Sequence, residues 1–278
     1  MNCKVCQSPK IKHAFSKDGE DFYHCLNCDV IFQHPLNNLH LSQLYENEYF
    51  NKESRFTDQF INWHARDNSQ RVLGLIKKFR SSGALLDIGA AYGQFLQVAR
   101  DNGFQVSGIE PNKESVRIAK EKFNLNLQQG FFDKNYHNQE QFDVITNFHV
   151  IEHVLDPLEF VRTIRNDLKN GGIAVFETPN TCSINFFMTR KKNIYILPNE
   201  HIFLFSPKSL GYLLKENGLK VIYQKRTGIF WHKRPKSLAG KIYSDQASIC
   251  FRTLNKIKNF CSEKLMLGDH LFIIAQKI

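Results

Sequence analysis

Apolar and polar positions alternate in a regular way over most of this chain, and the alternation predicts the fold. From residue 84 onward, short apolar runs are separated by stretches in which apolar residues recur every three or four positions. The runs predict buried strands, and the stretches predict helices that pack against a sheet. Strict alternation of strand and helix predicts a parallel sheet with helices on both faces. The predicted strands are 84–88, 104–109, 125–129, 142–148, 173–177, 219–224 and 270–275, and the predicted helices are 94–102, 112–123, 157–168 and 206–217. We expect the pair Gly171-Gly172 to end the third of these helices.

The first 80 residues follow a different pattern. Residues 36–80 lack strand signals and place aromatic side chains at helical spacing, so they predict helical segments with an aromatic face. Before them, two C-x2-C pairs are separated by eighteen residues, with Asp18-Gly19 near the middle as a predicted hairpin turn. The predicted units are a zinc ribbon over 1–40, a helical linker or lid over 41–80, and an α/β domain over 81–278 with an insertion at 228–268.

The four cysteines of the ribbon are candidate metal ligands. Two residues between cysteines let a tight turn direct both thiolates at one ion, and two such pairs complete a tetrahedral sulfur site. Because protein fills all four positions, we predict a structural zinc ion, with iron as the alternative. The predicted ligands are Cys3, Cys6, Cys25 and Cys28.

The first strand–helix turn of the α/β domain has the residue types of a ligand-binding turn. It reads LLDIGAAYGQF over 85–95, so Asp87 ends a strand and Gly89 and Gly93 follow it. Glycine permits a ligand to approach the backbone closely, and the next helix presents free N–H groups. Glu110 ends the second strand about 20 residues later, at a position that suits a ribose diol. An acid before the glycines argues against a dinucleotide-binding turn, which keeps its acid for the second strand.

These motifs resemble those of class I S-adenosylmethionine-dependent methyltransferases, whose first motif reads D-x-G-x-G-x-G. Asp87, Gly89 and Gly93 match it, and Ala91 replaces the middle glycine. The segments FDVITNFHVIEHVLDP, GGIAVFETPN and NEHIFLFSPKSLGYLLKENGLKVI resemble later motifs of the small-molecule branch. A four-cysteine module in front is also found in a subgroup of these enzymes that includes sugar C-methyltransferases. Those enzymes carry a large extra C-terminal domain that is not found in this sequence, so we expect O-methylation in preference to C-methylation.

The resemblance implies a Rossmann-like fold, with a seven-stranded, mostly parallel sheet, an antiparallel last strand and a small N-terminal zinc ribbon. It implies S-adenosylmethionine as the cosubstrate and zinc as the structural metal. The expected cofactor-binding residues are Asp87, Gly89, Ala91, Gly93, Glu110, Pro111, Phe131, Phe132 and Asn147. Phe131 and Phe132 are candidate walls for adenine, although either one also suits an ordinary core.

The loop after the fourth strand holds the candidate catalytic residues. If the methyl acceptor is an alcohol, its proton must leave, and a neutral imidazole suits that role. His153 is the leading candidate for the base, with Glu152 and His149 beside it; His201 and Tyr49 are further candidates. The run H-V-I-E-H also spells an inverted zinc-protease motif, but it leaves a strand and enters a loop, whereas that motif needs both histidines on one helix.

The positive charge of the chain suggests a nucleic acid as an alternative binding partner. The formal net charge of the 278-residue chain is +10, and eight basic and two acidic side chains in 228–268 contribute +6 of it. We expect a small-molecule acceptor, such as a hydroxyl of a sugar, a nucleotide-linked sugar or a phosphorylated glycan precursor. An RNA- or ribosome-directed methyltransferase that docks through the ribbon and the basic insertion is the alternative. The N-terminus lacks the apolar core of a signal peptide, which predicts a cytoplasmic protein without a membrane span.

Overall fold

The computed structural model describes residues 1–35, 68–133, 136, 141–227 and 268–278. Most of the predicted linker and lid, Tyr49, and nearly all of the basic insertion lie outside these ranges. The strands are β1 Ile11–Lys17, β2 Glu20–Cys25, β3 Ile31–Gln33, β4 Gly83–Ile88, β5 Phe104–Glu110, β6 Gln128–Gln129, β7 Phe142–Phe148, β8 Leu168–Pro179, β9 Phe203–Leu204, β10 Leu219–Thr227 and β11 His270–Lys277. The helices are α1 at 68–76, α2 Gln94–Asp101, α3 Lys113–Phe123, α4 Pro157–Asp167, α5 Ile184–Thr189 and α6 Pro207–Glu216.

A seven-stranded sheet forms the centre of the molecule, in the order β10-β11-β8-β7-β4-β5-β6. The five strands from β8 to β6 pair in parallel, whereas β11 is antiparallel to both of its neighbours. The predicted mostly parallel sheet with an antiparallel last strand is therefore confirmed. Because β4 and β7 are adjacent at the centre, their carboxyl ends bring together the turn after β4 and the loop after β7.

Local signals in the sequence explain most helix boundaries. The Asn112 side chain caps α3 by accepting a hydrogen bond from Ser115 N, and Ser206 caps α6 in a reciprocal pair with Ser209. The predicted helix 157–168 is confirmed to within one residue. The helix ends at Asp167, and β8 begins at Leu168, which pairs with Phe142. Gly171 and Gly172 follow in an irregular stretch, where the register of β7 with β8 shifts between Phe142 and Val144.

The ribbon is joined to the body by a second sheet. The strands β1, β2 and β3 form the predicted antiparallel unit, with the turn at Asp18-Gly19, and β9 of the body adds to its edge through Phe203 and Leu204. Lys17 donates hydrogen bonds to the carbonyl groups of Asn193 and Ile196, which ties the hairpin to the segment before β9. The ribbon therefore shares backbone pairing with the domain that follows it.

Apolar clusters cover both faces of the large sheet. One cluster continues into the ribbon, so that Cys25 and Phe32 share a buried core with Phe160 and Phe203. The other packs α1, α2 and α3 residues such as Ile76 and Leu96 against β4 and β5. None of the helices in the described ranges is long and apolar enough to cross a bilayer.

Candidate functional site

The turn between β4 and α2 is held in a left-handed backbone conformation. Gly89 has φ 71° and Gly93 has φ 80°, while Ala91 has φ 47°, which is unusual for a residue with a side chain. A Cβ atom at Gly89 would lie 2.6 Å from Val150 Cγ2. The turn therefore requires glycine at 89 both for its backbone angle and for the close approach of the loop after β7.

Glu110 supports this turn from the adjacent strand. One carboxylate oxygen accepts a hydrogen bond from Ala91 N at 2.9 Å, and the other accepts one from Asn112 N at 2.9 Å. Burial raises the pKa of Glu110, although the two backbone donors act in the opposite direction. A carboxylate has about four lone-pair sites, so capacity for ribose hydroxyls remains. Glu110 thus organises the first turn in addition to its predicted binding role, and Pro111 follows it directly.

Asp87 lies beneath the turn rather than on its surface. Its side chain is buried, and Thr146 Oγ1 on β7 donates a hydrogen bond to Asp87 Oδ1 at 2.6 Å. Burial, together with the nearby Glu110 charge, raises the pKa of Asp87 to about 7 despite the bond from Thr146. The residue therefore joins β4 to β7 at the place where the two parallel strands end.

Asn147 faces the same edge from β7. Its amide nitrogen donates to Val175 O at 2.9 Å, whereas its buried Oδ1 has no hydrogen-bond partner among the described residues. Phe132 is buried in the core, edge-to-face against Phe160, and Phe131 is 53% exposed. Of the two predicted adenine walls, Phe131 has the side-chain surface that a ligand could cover.

The loop after β7 begins with a strained histidine. His149 has φ 55°, and its N–H donates to Glu177 O at 2.7 Å, which holds the backbone there. Its Nδ1 lies 3.1 Å from Glu152 Oε1, and 40% of its side-chain surface remains accessible. Although burial opposes it, the bond to Glu152 and the charge of Glu177 raise the pKa of His149.

Glu152 and His153 are both fully enclosed. Thr178 Oγ1 donates to the second oxygen of Glu152 at 2.9 Å, and this bond adds to the one with His149. Burial alone would raise the pKa of Glu152, but the surrounding histidines lower it to about 2. His153 donates from Nδ1 to Glu200 O at 2.8 Å, its ring meets His201 edge-to-face, and burial lowers its pKa to about 4. His149 is therefore the accessible member of the three predicted catalytic residues.

Sequence reasoning missed three polar side chains that complete this cluster. Glu177 comes from β8, His270 begins β11, and Tyr195 Oη lies 3.0 Å from His270 Nε2. The signal that was available is a polar residue at the end of an otherwise apolar strand, as in VFETP and DHLFIIA. Their convergence on His149 depends on the order of strands in the sheet.

The four ribbon cysteines are brought together as predicted. Cys3 Sγ lies 3.6 Å from Cys28 Sγ, and Cys6 Sγ lies 3.5 Å from Cys25 Sγ. A tetrahedral zinc ion with Zn–S bonds of about 2.3 Å requires sulfur atoms about 3.8 Å apart. The donor set and its spacing thus fit a tetrahedral metal ion.

The sequence was compared with protein families and with curated proteins, and both comparisons match methyltransferases. The family described as a methyltransferase domain matches residues 48–224. A ubiquinone biosynthesis O-methyltransferase of Cereibacter sphaeroides is 32% identical over 113 residues, which are 37% of this chain and 44% of the relative. The chain thus spans less than half the length of that curated relative.

Two solved structures share the fold. An S-adenosylmethionine-dependent methyltransferase from Archaeoglobus fulgidus is 23% identical with a TM-score of 0.50, and the match covers 76% of this chain and 94% of that one. An enzyme of the same description from Mesorhizobium loti is 15% identical with a TM-score of 0.54, covering 76% of this chain and all of that one. At these identities the similarity concerns the fold.

Proposed function

This chain belongs to the methyltransferase-domain family, and from that premise we propose that it transfers a methyl group from S-adenosylmethionine to an oxygen of a small-molecule acceptor. The observation behind the proposal is the position of the Glu110-supported glycine turn directly beside the His149 loop. Donor and acceptor sites of a transfer reaction must adjoin, and β4 and β7 are neighbours in the sheet.

The residues at the turn fit the donor. Gly89 and Gly93 give the turn its left-handed backbone, Glu110 offers acceptors for hydroxyl groups, and the buried Asn147 Oδ1 suits an N–H or ammonium donor. Asp87 fixes the strand end beneath them. When bound, S-adenosylmethionine supplies an activated methyl group on its sulfonium, so the protein needs chiefly to align the acceptor and exclude water.

His149 is the residue that we place against the acceptor oxygen. Its ring is accessible, and Glu152 holds Nδ1, so the Nε2 edge is directed away from that carboxylate. Glu152 acts as a positioning residue, because both of its oxygens are already hydrogen bonded and it is fully buried. We favour His149 over His153 for this contact, since the Nδ1–H of His153 is committed to Glu200 and its ring is enclosed.

The names of the relatives favour oxygen as the acceptor atom. We propose more specifically that this oxygen belongs to a sugar-type hydroxyl. The oxygen acceptor draws on relatives named as O-methyltransferases. The sugar, nucleotide-linked sugar or glycan precursor draws on the motif resemblance and on the four-cysteine ribbon. The relatives are named for ubiquinone biosynthesis, which makes a phenolic hydroxyl the competing acceptor of this class.

We further propose that the ribbon cysteines hold one structural zinc ion. Their sulfur spacing suits a tetrahedral ion, and β3 joins β9 of the body, so the ion would stabilise the segment from Tyr195 to β9 as well as the ribbon. Metal analysis of the purified chain should give one zinc per chain. If the purified chain is red and contains iron, the proposed metal is iron instead of zinc. Thiolate ligands persist in a reducing compartment, which accords with a cytoplasmic location.

Ligand binding tests the donor. S-adenosylhomocysteine at 100 times its Kd should stabilise the chain by about 2.7 kcal/mol, measured as a rise in Tm. Glu110→Ala removes the carboxylate under the turn and should abolish most of that rise. The matched control Glu114→Ala changes an exposed acid on α3 and should retain it. Absence of any rise in the wild-type chain would refute the donor assignment.

Transfer of a labelled methyl group tests the acceptor. Nucleotide-linked sugars, simple polyphenols and short RNA should be offered in parallel, with the product's methylated atom identified by mass spectrometry and NMR. Labelled sugar oxygen supports the finer proposal, and labelled phenol supports the competing one. Labelled RNA, with binding that weakens steeply as salt rises, would instead establish the RNA-directed alternative.

A further inference from the structure

His149, Glu177 and His270 form a cluster that the transfer reaction described above does not fully use. They come from three adjacent strands, since His149 follows β7, Glu177 lies near the end of β8 and His270 begins β11. One ring nitrogen of each histidine and one oxygen of Glu177 lie within 4.8 Å of one another. The histidine rings meet edge-to-face with centroids 5.0 Å apart.

We propose that His149, Glu177 and His270 bind a divalent first-row transition-metal ion beside the acceptor site. Two imidazoles and one carboxylate form a donor set that suits such ions, and three protein ligands leave coordination positions open. The ring of His149 is accessible, so the open positions face the region where we place the acceptor. Binding of the ion does not depend on the proposed function. Only the role of the ion in methyl transfer rests on it.

The hydrogen bonds around the two histidines match those of metal ligands. Metal-bound histidines usually donate their other ring nitrogen to a carboxylate or another acceptor, which fixes the tautomer and the ring plane. His149 Nδ1 lies 3.1 Å from Glu152, and His270 Nε2 lies 3.0 Å from Tyr195 Oη. Coordination would then use Nε2 of His149 and Nδ1 of His270.

The environment of Glu177 supplies the third argument. Glu177 is 9% exposed, its side chain has no hydrogen bond or salt bridge within the described ranges, and the positive charge of Arg71 acts on it from nearby. Burying a carboxylate is costly, and a bound cation would add to the compensation that Arg71 provides. The strained φ of His149 is held by the Glu177 carbonyl, so the backbone keeps these two ligands adjacent.

A neighbouring cluster is less suitable. Glu152, His153 and His201 also converge, but all three are buried and both Glu152 oxygens are already hydrogen bonded. An ion there would have no accessible position for a substrate. The cluster that includes Glu177 has three candidate ligands and an accessible His149 ring, so a substrate could reach an ion bound there.

The ion would act on the acceptor hydroxyl. A hydroxyl bound to a divalent ion has a lowered pKa, so it loses its proton to water more readily and presents a stronger nucleophile. With the ion bound, His149 Nε2 would contact the ion instead of the acceptor oxygen, so His149 would act on the acceptor only through the ion. Glu152 and Tyr195 serve as positioning residues for the two rings.

Cobalt binding distinguishes this site from the ribbon. The full chain is dialysed against a weak chelator, its metal content is measured, and Co²⁺ is titrated while absorbance is recorded. We expect one equivalent of Co²⁺ with weak d–d bands and no thiolate charge transfer, in addition to the ion in the ribbon. Absence of this equivalent, or cobalt that shows only thiolate bands, would overturn the proposal.

Variants test the ligands. Glu177→Gln and His270→Ala should each lose the non-thiolate equivalent, and Tyr195→Phe should weaken Co²⁺ affinity about tenfold. The matched control His24→Ala changes a histidine on the ribbon and should retain the equivalent. A cooperative urea-unfolding transition shows that a variant is folded. Full retention of the equivalent by folded Glu177→Gln and His270→Ala overturns the proposal. Because no turnover is needed, this outcome is separate from failure of the methyl-transfer proposal.

Discussion

Two halves of the sheet's carboxyl edge each bury a carboxylate, and they favour opposite charge states. On the β4 side, Asp87 has one hydroxyl donor and a nearby acid, so its pKa rises to about 7. On the β7 and β8 side, Glu152 is equally buried, yet its histidine neighbours lower its pKa to about 2. Equal burial thus produces opposite shifts, and the neighbouring charges decide the sign.

We propose that the two halves have different roles. The β4 half is built mainly from backbone conformation and one supporting acid, which suits the binding of a donor that needs no activation. The β7–β8–β11 half is built from titratable side chains, which suits the handling of an acceptor proton or a cation. Substitutions in one half should therefore have effects that differ from substitutions in the other.

Replacing His149 should have the largest effect. His149→Ala removes the accessible imidazole, and groups that assist proton removal contribute about 10²–10⁴-fold to rate. We expect kcat for the identified acceptor to fall by about that factor while the Kd for S-adenosylhomocysteine stays within about threefold. Steady-state kinetics and calorimetry measure the two quantities.

His153→Ala is the internal control for this prediction. It should leave the Glu200 carbonyl without its donor and lower the free energy of unfolding by about 1–3 kcal/mol, with kcat changed less than tenfold. The reverse pattern, with a large loss of kcat only in His153→Ala, would assign the acceptor contact to His153.

Removing the buried anion of the acceptor half should cost stability. Glu152→Ala leaves His149 and Thr178 without their shared carboxylate, and breaking a buried pair costs about 3 kcal/mol or more. Urea unfolding should show this loss. The exposed Glu114→Ala should leave the unfolding midpoint unchanged, and an equally small effect at Glu152 would contradict its buried, ionised state.

The pH dependence of stability should reveal the acid of the donor half. The pKa of Asp87 is raised in the folded state, so the folded chain holds a proton that the unfolded chain releases above about pH 4. Its contribution is therefore fully present below about pH 4 and is lost as pH rises through about 7.

Asp87→Asn should remove this dependence. Between pH 5 and pH 8 the wild-type chain should lose about 2 kcal/mol more stability than the variant, as measured by urea unfolding at each pH. Asparagine keeps an oxygen that can accept from Thr146. Parallel slopes for the two proteins would show that Asp87 is ionised in the folded state.

Gly89→Ala should have the smallest effect on stability, about 1–2 kcal/mol, because it introduces a left-handed alanine and a contact with Val150. The affinity for S-adenosylhomocysteine should fall about tenfold or more. Gly74→Ala in α1, where nothing lies within 4 Å of an added Cβ, should leave affinity unchanged. Adding Val150→Ala to Gly89→Ala should recover only the part due to the contact.

Local sequence was sufficient for most of the fold. Strand and helix periods, the caps at Asn112 and Ser206, and the turn residues around Gly89 act within a few positions, so they can be read without tertiary information. The start of β8 at Leu168, five residues before the predicted strand, was missed because its pairing with Phe142 depends on the position of β7. The fourth ribbon strand, β9, was missed because two residues make a strand only where a partner edge exists.

By itself, the sequence predicted the four-cysteine cluster of the ribbon, the glycine turn after β4 and the order of elements. These features depend on spacing along the chain. Only the tertiary structure decided which histidine is accessible, that Glu110 supports the turn, and that Glu177 and His270 join His149. Those outcomes depend on the order β11-β8-β7-β4 in the sheet and on burial, which together bring residues more than a hundred positions apart into one site.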